Sequence, residues 1–390
     1  MIILKPEDKL ILACIKIQPT QEEIELLDKL VPEVTDWEYV ATISIDRGIG
    51  PLLHNKISLL SNNNLIPKAI KHKLQQSYYI TFSRSVYIYR HFNVIAGLFA
   101  LEGVKILALK GIYLSETLYK DAGLRQFSDI DLLVQKEDAE KSLAILSAAG
   151  YKAEGDKEDN FSKKLEVVHF SPMVLNGVSV EIHLKLHLNI EKYKLDISDL
   201  WETAHLISLN NRNVYVLSKI NQLIHVCVHL DKHFHQGHIQ FTGYMDITNL
   251  LMQFNDDADW KELIRYCEKY NCIEEVFTHI LLANKYMQAK APENIILKYN
   301  DILSEKLQLQ FYDYFSGHRG FTSGIPKHFS NFQYLNNPSD KFIYAWRILF
   351  PSKAFMIKKF NIKHPALVLF YYPYRYFVGL KGVIKLIAGS

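Results

Sequence analysis

The sequence predicts an α+β protein in which a small mixed β-sheet is flanked by N-terminal and C-terminal helical regions. Three observations lead to this prediction. Apolar residues recur at helical spacing before residue 101 and again after residue 200. Between these regions, residues 128–134 and 178–187 alternate polar and apolar side chains, as β-strands do. An Asn-Gly pair just before the second stretch indicates a hairpin turn.

On this basis we divide the 390 residues into four segments. Residues 1–101 form an N-terminal helical region, 102–190 the sheet-containing core, 191–315 a helical domain, and 316–390 a basic, aromatic-rich C-terminal region. Four sparse cysteines without a C-x-x-C pair fit a reducing cytoplasm. No apolar run reaches the length that a membrane span needs.

Start signals mark the helices of the first segment. Thr20 precedes a helical pattern over residues 22–30, and another helix begins near Trp37 with a capping residue ahead of it. A long helix is predicted from Pro67 toward Leu101. We expect its aromatic residues to pack in the core, with stacking on a base as the alternative; they include Tyr78, Phe82, Tyr87, Tyr89 and Phe92.

The core opens with an apolar run at 106–109, a break at Lys110-Gly111 and a helical pattern. This order is typical of a strand, a tight turn and a helix N-terminus. Because Gly111 lacks a Cβ and the first N–H groups of a helix have no partner within it, a phosphate could approach the backbone there. Lys110 adds a positive charge.

Two aspartates follow on one strand. Side chains alternate along residues 128–134, so Asp129 and Asp131 share a face about 7 Å apart, where they can hold a hard cation. The strand at 178–187 adds Glu181. A solvated strand edge is the alternative, but the aspartates stand among apolar residues, where unpaired ionised groups are costly. Three carboxylates beside a glycine turn predict a site for a magnesium-bound nucleoside triphosphate.

At these residues the chain resembles the uncharacterised nucleotidyltransferase family of the DNA polymerase β-type superfamily. The resemblance is carried by L-K-G, R-x-x-S-D-I-D-L-L-V and V-E-I-H, strongly over about residues 100–190 and loosely to about 255. It implies that Asp129, Asp131 and Glu181 are the catalytic, metal-binding triad. It also implies that Gly111 and its neighbours hold the triphosphate.

The turn departs from the superfamily pattern. Most members carry Gly-Ser or Gly-Gly there, whereas this chain has Lys110-Gly111-Ile112. The gap from Gly111 to Asp129 is also longer than usual. Both features are shared within this particular family.

We therefore predict transfer of a nucleoside monophosphate from an NTP, with ATP among the candidate donors, to a hydroxyl acceptor with release of pyrophosphate. Asp129 and Asp131 would bind one Mg²⁺ ion and, with Glu181, a second, and Mn²⁺ could replace Mg²⁺. The alternative is a catalytically inactive nucleotide-binding module that docks on nucleic acid or a membrane-associated complex. The acceptor and the oligomeric state stay open.

Further residues are predicted to line the site. Lys110, Arg125 and Ser128 are expected to bind nucleotide, and the resemblance favours a phosphate-neutralising role for the arginine. A surface ion pair is the alternative for Arg125. His183 and Lys185 share the strand face of Glu181, so they could contact the acceptor or the pyrophosphate.

A histidine-rich helix follows at 219–233. His225, His229 and His233 recur every four residues, a spacing that can chelate zinc, but H-E-x-x-H and a nearby thiolate are missing. We instead predict that His229 and His233, with Asp246 on the next helix, form a polar lining over the active site. The resemblance also places histidine and aspartate here.

The last fifty residues differ in charge from the rest of the chain. Residues 341–390 carry nine lysines and arginines and no acidic residue, interleaved with aromatic side chains. This pattern suits an anionic partner, either RNA or a membrane surface, and a helix pair packed on the N-terminal helices is the alternative. We expect a cytoplasmic protein, free or peripheral to the inner face of a membrane.

Overall fold

A seven-stranded mixed sheet in the order β3-β4-β5-β2-β1-β7-β6 carries the site. The computed structural model describes residues 2–154, 170–186, 193–235 and 240–317, together with parts of 342–376. The predicted α+β class is confirmed. The strands are Leu107–Ala108 (β1), Asp129–Leu133 (β2), Lys152–Ala153 (β3), Met173–Leu175 (β4), Val178–His183 (β5), His205–Leu209 (β6) and Arg212–Val216 (β7).

Five helices precede the sheet, and their starts follow from the sequence. The Thr20 hydroxyl accepts from the Glu23 amide in a capping box, and Asp36 accepts from the Tyr39 amide at 2.9 Å. Both predicted helices are confirmed. The five helices are Pro6–Ala13 (α1), Gln21–Leu30 (α2), Trp37–Asp46 (α3), Gly50–Ile57 (α4) and Lys68–Leu101 (α5).

The predicted long helix is α5, with 34 residues. Its C-terminal half packs in one core with Ile130 and Leu132, so it covers the sheet face opposite to the β2 aspartates. Tyr89 and Phe92 are buried, as expected for core aromatics. The core prediction is wrong for Phe82, which is 42% exposed, because α5 extends beyond the sheet at its N-terminal half.

Local signals in the core produce the expected turns. The sequence predicts a helix over residues 137–149 that ends at Gly150, and in the structure Gly150, at a φ of +93°, follows the helix Ala139–Ala148 (α7). Asn176 and Gly177, at φ of +50° and +76°, join β4 to β5 with Leu175 opposite Val178. The predicted hairpin turn is confirmed. The sequence also predicts that the first strand of the hairpin begins at residue 165, and residues 165–169 lie outside the described residues.

One hairpin was not expected. The region from residue 200 was predicted to be helical, but β6 and β7 pair antiparallel around Asn210 and Asn211, and β7 pairs parallel with β1. Both asparagines have positive φ, which suits the tight turn. The helical prediction is wrong for residues 205–216, so the sheet draws strands from beyond the expected core.

Helices of the third segment and of the N-terminal region share one hydrophobic core, to which Leu10, Leu52, Leu223 and Ile280 all belong. The remaining helices of this unit are Lys110–Thr117 (α6), Ile197–Thr203 (α8), Lys219–His235 (α9), Phe241–Leu251 (α10), Asp257–Tyr270 (α11), Ile273–Met287 (α12), Glu293–Tyr299 (α13) and Glu305–Ser316 (α14). All four cysteines are buried and free.

The described residues from Phe342 onward belong to a second compact unit. It contains a helix at Lys353–Phe360 and a small apolar cluster of Met356, Ile362 and Val368. Much of the predicted basic region 316–390 lies outside the described residues, and its anionic partner stays a prediction. None of the described helices combines the length and apolar character needed to cross a bilayer.

Candidate active site

The carboxylates converge because β2 and β5 lie side by side and run parallel. Asp131 pairs directly with Glu181 in the strand register, and Asp129 pairs with Ser179. Asp129 and Asp131 share one face of β2, since side chains alternate along a strand. Asp131 is 5% exposed, so the acidic face is largely withdrawn from water.

His183 completes a compact group of potential ligands. Its Nε2 lies 2.8 Å from Asp131 Oδ1 and 3.6 Å from Glu181 Oε2. One ligand atom from each of these three residues lies within 4.8 Å of the others, the one such three-residue group among the described residues. The sequence predicts that His183 contacts the acceptor or the pyrophosphate, and the structure places it among the potential metal ligands. Asp129 lies next to this group on β2.

Lys110 supplies the positive charge of the site. It begins α6 at a φ of +40°, a left-handed conformation that costs a non-glycine residue about 1 kcal/mol or more. Its ammonium lies 3.5 Å from Asp131 Oδ2 and 3.5 Å from His229 Nε2. The lysine therefore links the sheet to α9.

These contacts give the two aspartates different proton affinities. Burial and the neighbouring charge of Asp131 raise the pKa of Asp129 to about 6. Burial also acts to raise the pKa of Asp131, but Lys110 and the hydrogen bond from His183 outweigh it, so this pKa is lowered. Asp131 therefore keeps its negative charge to a lower pH than Asp129.

Close packing requires a glycine at position 111. A Cβ at this position would lie 2.6 Å from Phe127 Cβ and 3.3 Å from the Arg125 Nη1. The glycine thus lets α6 begin against the loop that leads into β2. Its predicted contact with triphosphate stays a proposal.

Arg125 is buried in an ion pair. Its Nε and Nη2 donate to the two carboxylate oxygens of Asp246 at 2.8 and 2.6 Å, and the Tyr119 hydroxyl donates to Oδ1 at 3.0 Å. Burial acts to lower the pKa of Arg125, but Asp246 outweighs it and raises this pKa. The ion pair lies in the interior rather than at the surface, and the predicted role of Arg125 in nucleotide binding stays a prediction.

On α9, His229 lies beside Lys110, and His233 lies beside His229. The Nε2 atoms of His229 and His233 are 3.0 Å apart. Burial and the charge of Lys110 lower the pKa of His229 well below its usual range, so its neutral ring can accept a hydrogen bond from the lysine. Asp246 instead holds Arg125.

The last two predicted site residues, Ser128 and Lys185, lie just outside the ends of β2 and β5. Ser128 is exposed immediately before β2, and its carbonyl accepts from Arg84 at 3.3 Å. Lys185 is half-buried just after β5 ends at His183. The sequence does not predict the contacts of Tyr119 with Asp246 and of Arg84 with Ser128, because each joins residues more than forty positions apart.

Comparison with known proteins gives a family match. The family described as "uncharacterised nucleotidyltransferase" matches residues 33–288, a range that includes all seven strands. Among solved structures, the chain is similar to an antigenic nucleotidyltransferase-like protein from Paracoccidioides brasiliensis. The identity is 13%, the match covers 55% of this chain and 98% of that chain, and the TM-score is 0.31. No curated protein matches the chain.

Proposed function

Because the chain belongs to the uncharacterised nucleotidyltransferase family, we propose that it moves a nucleoside monophosphate from an NTP to a hydroxyl acceptor and releases pyrophosphate. The observation that carries this proposal is the convergence of Asp131, Glu181 and His183. Asp129 shares their region of the sheet and Lys110 faces them. The start of α6 lies beside them, where backbone N–H groups favour an anion.

The donor set fits a divalent cation. Two carboxylates and an imidazole lie close enough to contact one ion, with Asp129 as a further oxygen donor. Mg²⁺ prefers oxygen ligands, whereas Mn²⁺ also accepts imidazole, so we expect both ions to bind. A bound cation would offset the charge of the triphosphate and lower the pKa of an acceptor hydroxyl.

The residues of the chain would then orient and stabilise the reacting groups. The acceptor oxygen forms a bond to the α-phosphorus as the bond to the α–β bridging oxygen breaks, and pyrophosphate takes that electron pair. The acceptor proton leaves to solvent or to a carboxylate of the site. Lys110 and the first N–H groups of α6 would balance the charge that develops on the leaving group.

Triphosphate binding is the first test. Each NTP is added with Mg²⁺ or Mn²⁺ to the full chain, and the melting temperature is compared with that of Asp131→Asn and of the matched control Asp301→Asn, an exposed aspartate outside the site. At about 100 times Kd, binding contributes about 2.7 kcal/mol. Wild type and control should therefore shift by several degrees with metal, and Asp131→Asn should not.

The second test follows the transferred group. The chain is incubated with α-labelled triphosphates and a cell extract, and label transfer and pyrophosphate release are measured. Asp131→Asn and Glu181→Gln should lose both signals. Equal triphosphate shifts in wild type and Asp131→Asn, without transfer by either, would instead favour the inactive binding module.

A further inference from the structure

The helix α5 has an unusual charge composition. Lys68–Leu101 contains no acidic residue, while it carries two histidines and five basic residues, namely Lys68, Lys71, Lys73, Arg84 and Arg90. An exposed helix normally mixes both signs of charge. The helix itself thus contributes only positive charge, which suits a polyanion, and one of its lysines, Lys73, pairs with Glu38 of α3.

A cavity of about 400 Å³ opens at the N-terminal end of α5. Lys68, Lys71 and His72 line it from the helix, and His54 and Asn63 line it from the preceding segment. Cationic and amide donors of this kind bind phosphate oxygens. The opening is also concave, which admits a projecting anionic group and excludes a flat surface.

Aromatic rings continue from this cavity along the helix. The His54 ring lies 5.6 Å from Tyr78, which stacks on Phe82 with ring centroids 6.3 Å apart. Tyr79, Ile80 and Phe82 are 56%, 70% and 42% exposed. Large exposed rings beside basic side chains form the combination on which bases of a single strand stack.

Arg84 lies on the other flank of α5, about 140° or more around the helix from the lysines of the cavity and the rings, where the helix meets the start of β2. Its Nη2 donates to the carbonyls of Ser128 at 3.3 Å and Gly177 at 2.7 Å, and Ser128 precedes Asp129. From Lys71 to Arg84 the helix rises by about 20 Å at 1.5 Å per residue, which is room for about six stacked nucleotides. One helix thus carries the basic residues and the exposed rings and also contacts the residue that precedes β2.

We propose that this surface, formed by Lys68, Lys71, Tyr79 and Phe82 and named here the α5 face, binds a single-stranded nucleic acid whose terminal hydroxyl is the acceptor. The inference rests on the proposed nucleotidyl transfer. The exposed rings beside the basic cavity favour this occupant, because bases of a single strand can stack on them, and binding to an anionic membrane is the alternative outcome of the test.

Binding is tested on the full chain with EDTA, so that the metal-dependent step plays no part. The probe is a fluorescein-labelled 12-nucleotide single-stranded RNA, with the DNA of the same sequence beside it, and anisotropy is measured from 50 to 300 mM salt. The variants are Lys68→Ala/Lys71→Ala and Tyr79→Ala/Phe82→Ala. Lys261→Ala/Lys306→Ala, two exposed lysines away from α5, is the matched control.

The two variants should weaken binding in different ways. Lys68→Ala/Lys71→Ala removes two phosphate contacts. It should therefore reduce the slope of log affinity against log salt concentration by about 1.4, and the affinity by about tenfold. Loss of the two rings should reduce the affinity by at least about thirtyfold with the salt slope unchanged. The control should bind like wild type, and the bound oligonucleotide should be extended when NTP and metal are added.

Several outcomes would overturn the inference. They are wild-type affinity in both variants, binding of phosphatidylserine vesicles but not of oligonucleotide, and bound oligonucleotide that is never extended. The metal-dependent triphosphate shift is measured on the same samples. If that shift persists while oligonucleotide binding is absent, the proposed role of the α5 face is refuted and the proposed nucleotidyl transfer is unaffected.

Discussion

Removal of the Asp246 carboxylate tests how the sheet is joined to the helices that cover it. Arg125 makes two charge-assisted hydrogen bonds to Asp246, and the two residues are 6% and 1% exposed. In Asp246→Ala the guanidinium and the Tyr119 hydroxyl would lose this acceptor in a buried setting. An uncompensated buried charge of this kind costs about 3–5 kcal/mol.

The assay is thermal and urea unfolding of the purified chain. At about 2–4 °C per kcal/mol, Asp246→Ala should melt about 6–20 °C below wild type. Lys269→Ala is a matched control, because its ion pair with Asp199 is 48% and 19% exposed, and such a pair contributes about 1 kcal/mol at most.

A double substitution separates the buried charge from simple loss of contacts. Arg125→Met/Asp246→Leu removes both charges and keeps apolar volume, so it should recover at least half of the loss seen in Asp246→Ala. A cost below about 1 kcal/mol for Asp246→Ala, or no recovery in the double variant, would refute the reasoning.

Three further predictions concern stability. Gly111→Ala should lower the free energy of unfolding by about 1–3 kcal/mol, because the added Cβ contacts Phe127. Gly111→Ala/Phe127→Ala should lower it by less than the sum of the two single changes, and additive losses would contradict the contact. Gly177→Ala should cost about 1 kcal/mol in urea unfolding, since its φ is +76° and nothing lies within 4 Å of its missing Cβ; a neutral result would contradict this. Burial acts to raise the pKa of Glu7, but hydrogen bonds from the Thr35 and Asp36 amides outweigh it and lower this pKa to about 2. The ionised carboxylate therefore stabilises the fold fully above pH 4.5, and this stabilisation is lost as the pH falls toward 2. Glu7→Gln should therefore be about 3 kcal/mol less stable at pH 7, with a gap from wild type that closes in acid; a constant gap would contradict the prediction.

Features that depend on neighbouring residues could be predicted from the sequence. The Thr20 cap, the Asn176-Gly177 turn and the helix end at Gly150 each follow from a backbone preference that acts over a few positions. The alternation around Asp129 likewise placed the aspartates on one strand face. The turn at Asn210-Asn211 carries a similar signal, which the sequence analysis overlooked.

Contacts between distant segments were decided by the tertiary structure. The pairing of β2 with β5 brings His183 to Asp131 across 52 positions, and the packing of α10 brings Asp246 to Arg125 across 121. Periodicity gives the face on which a side chain lies but not the element that packs against it. Local patterns thus identify the residues that can carry the chemistry. Strand pairing brings His183 to Asp131, and the packing of α10 holds Arg125 through Asp246, because both contacts join segments far apart in the chain.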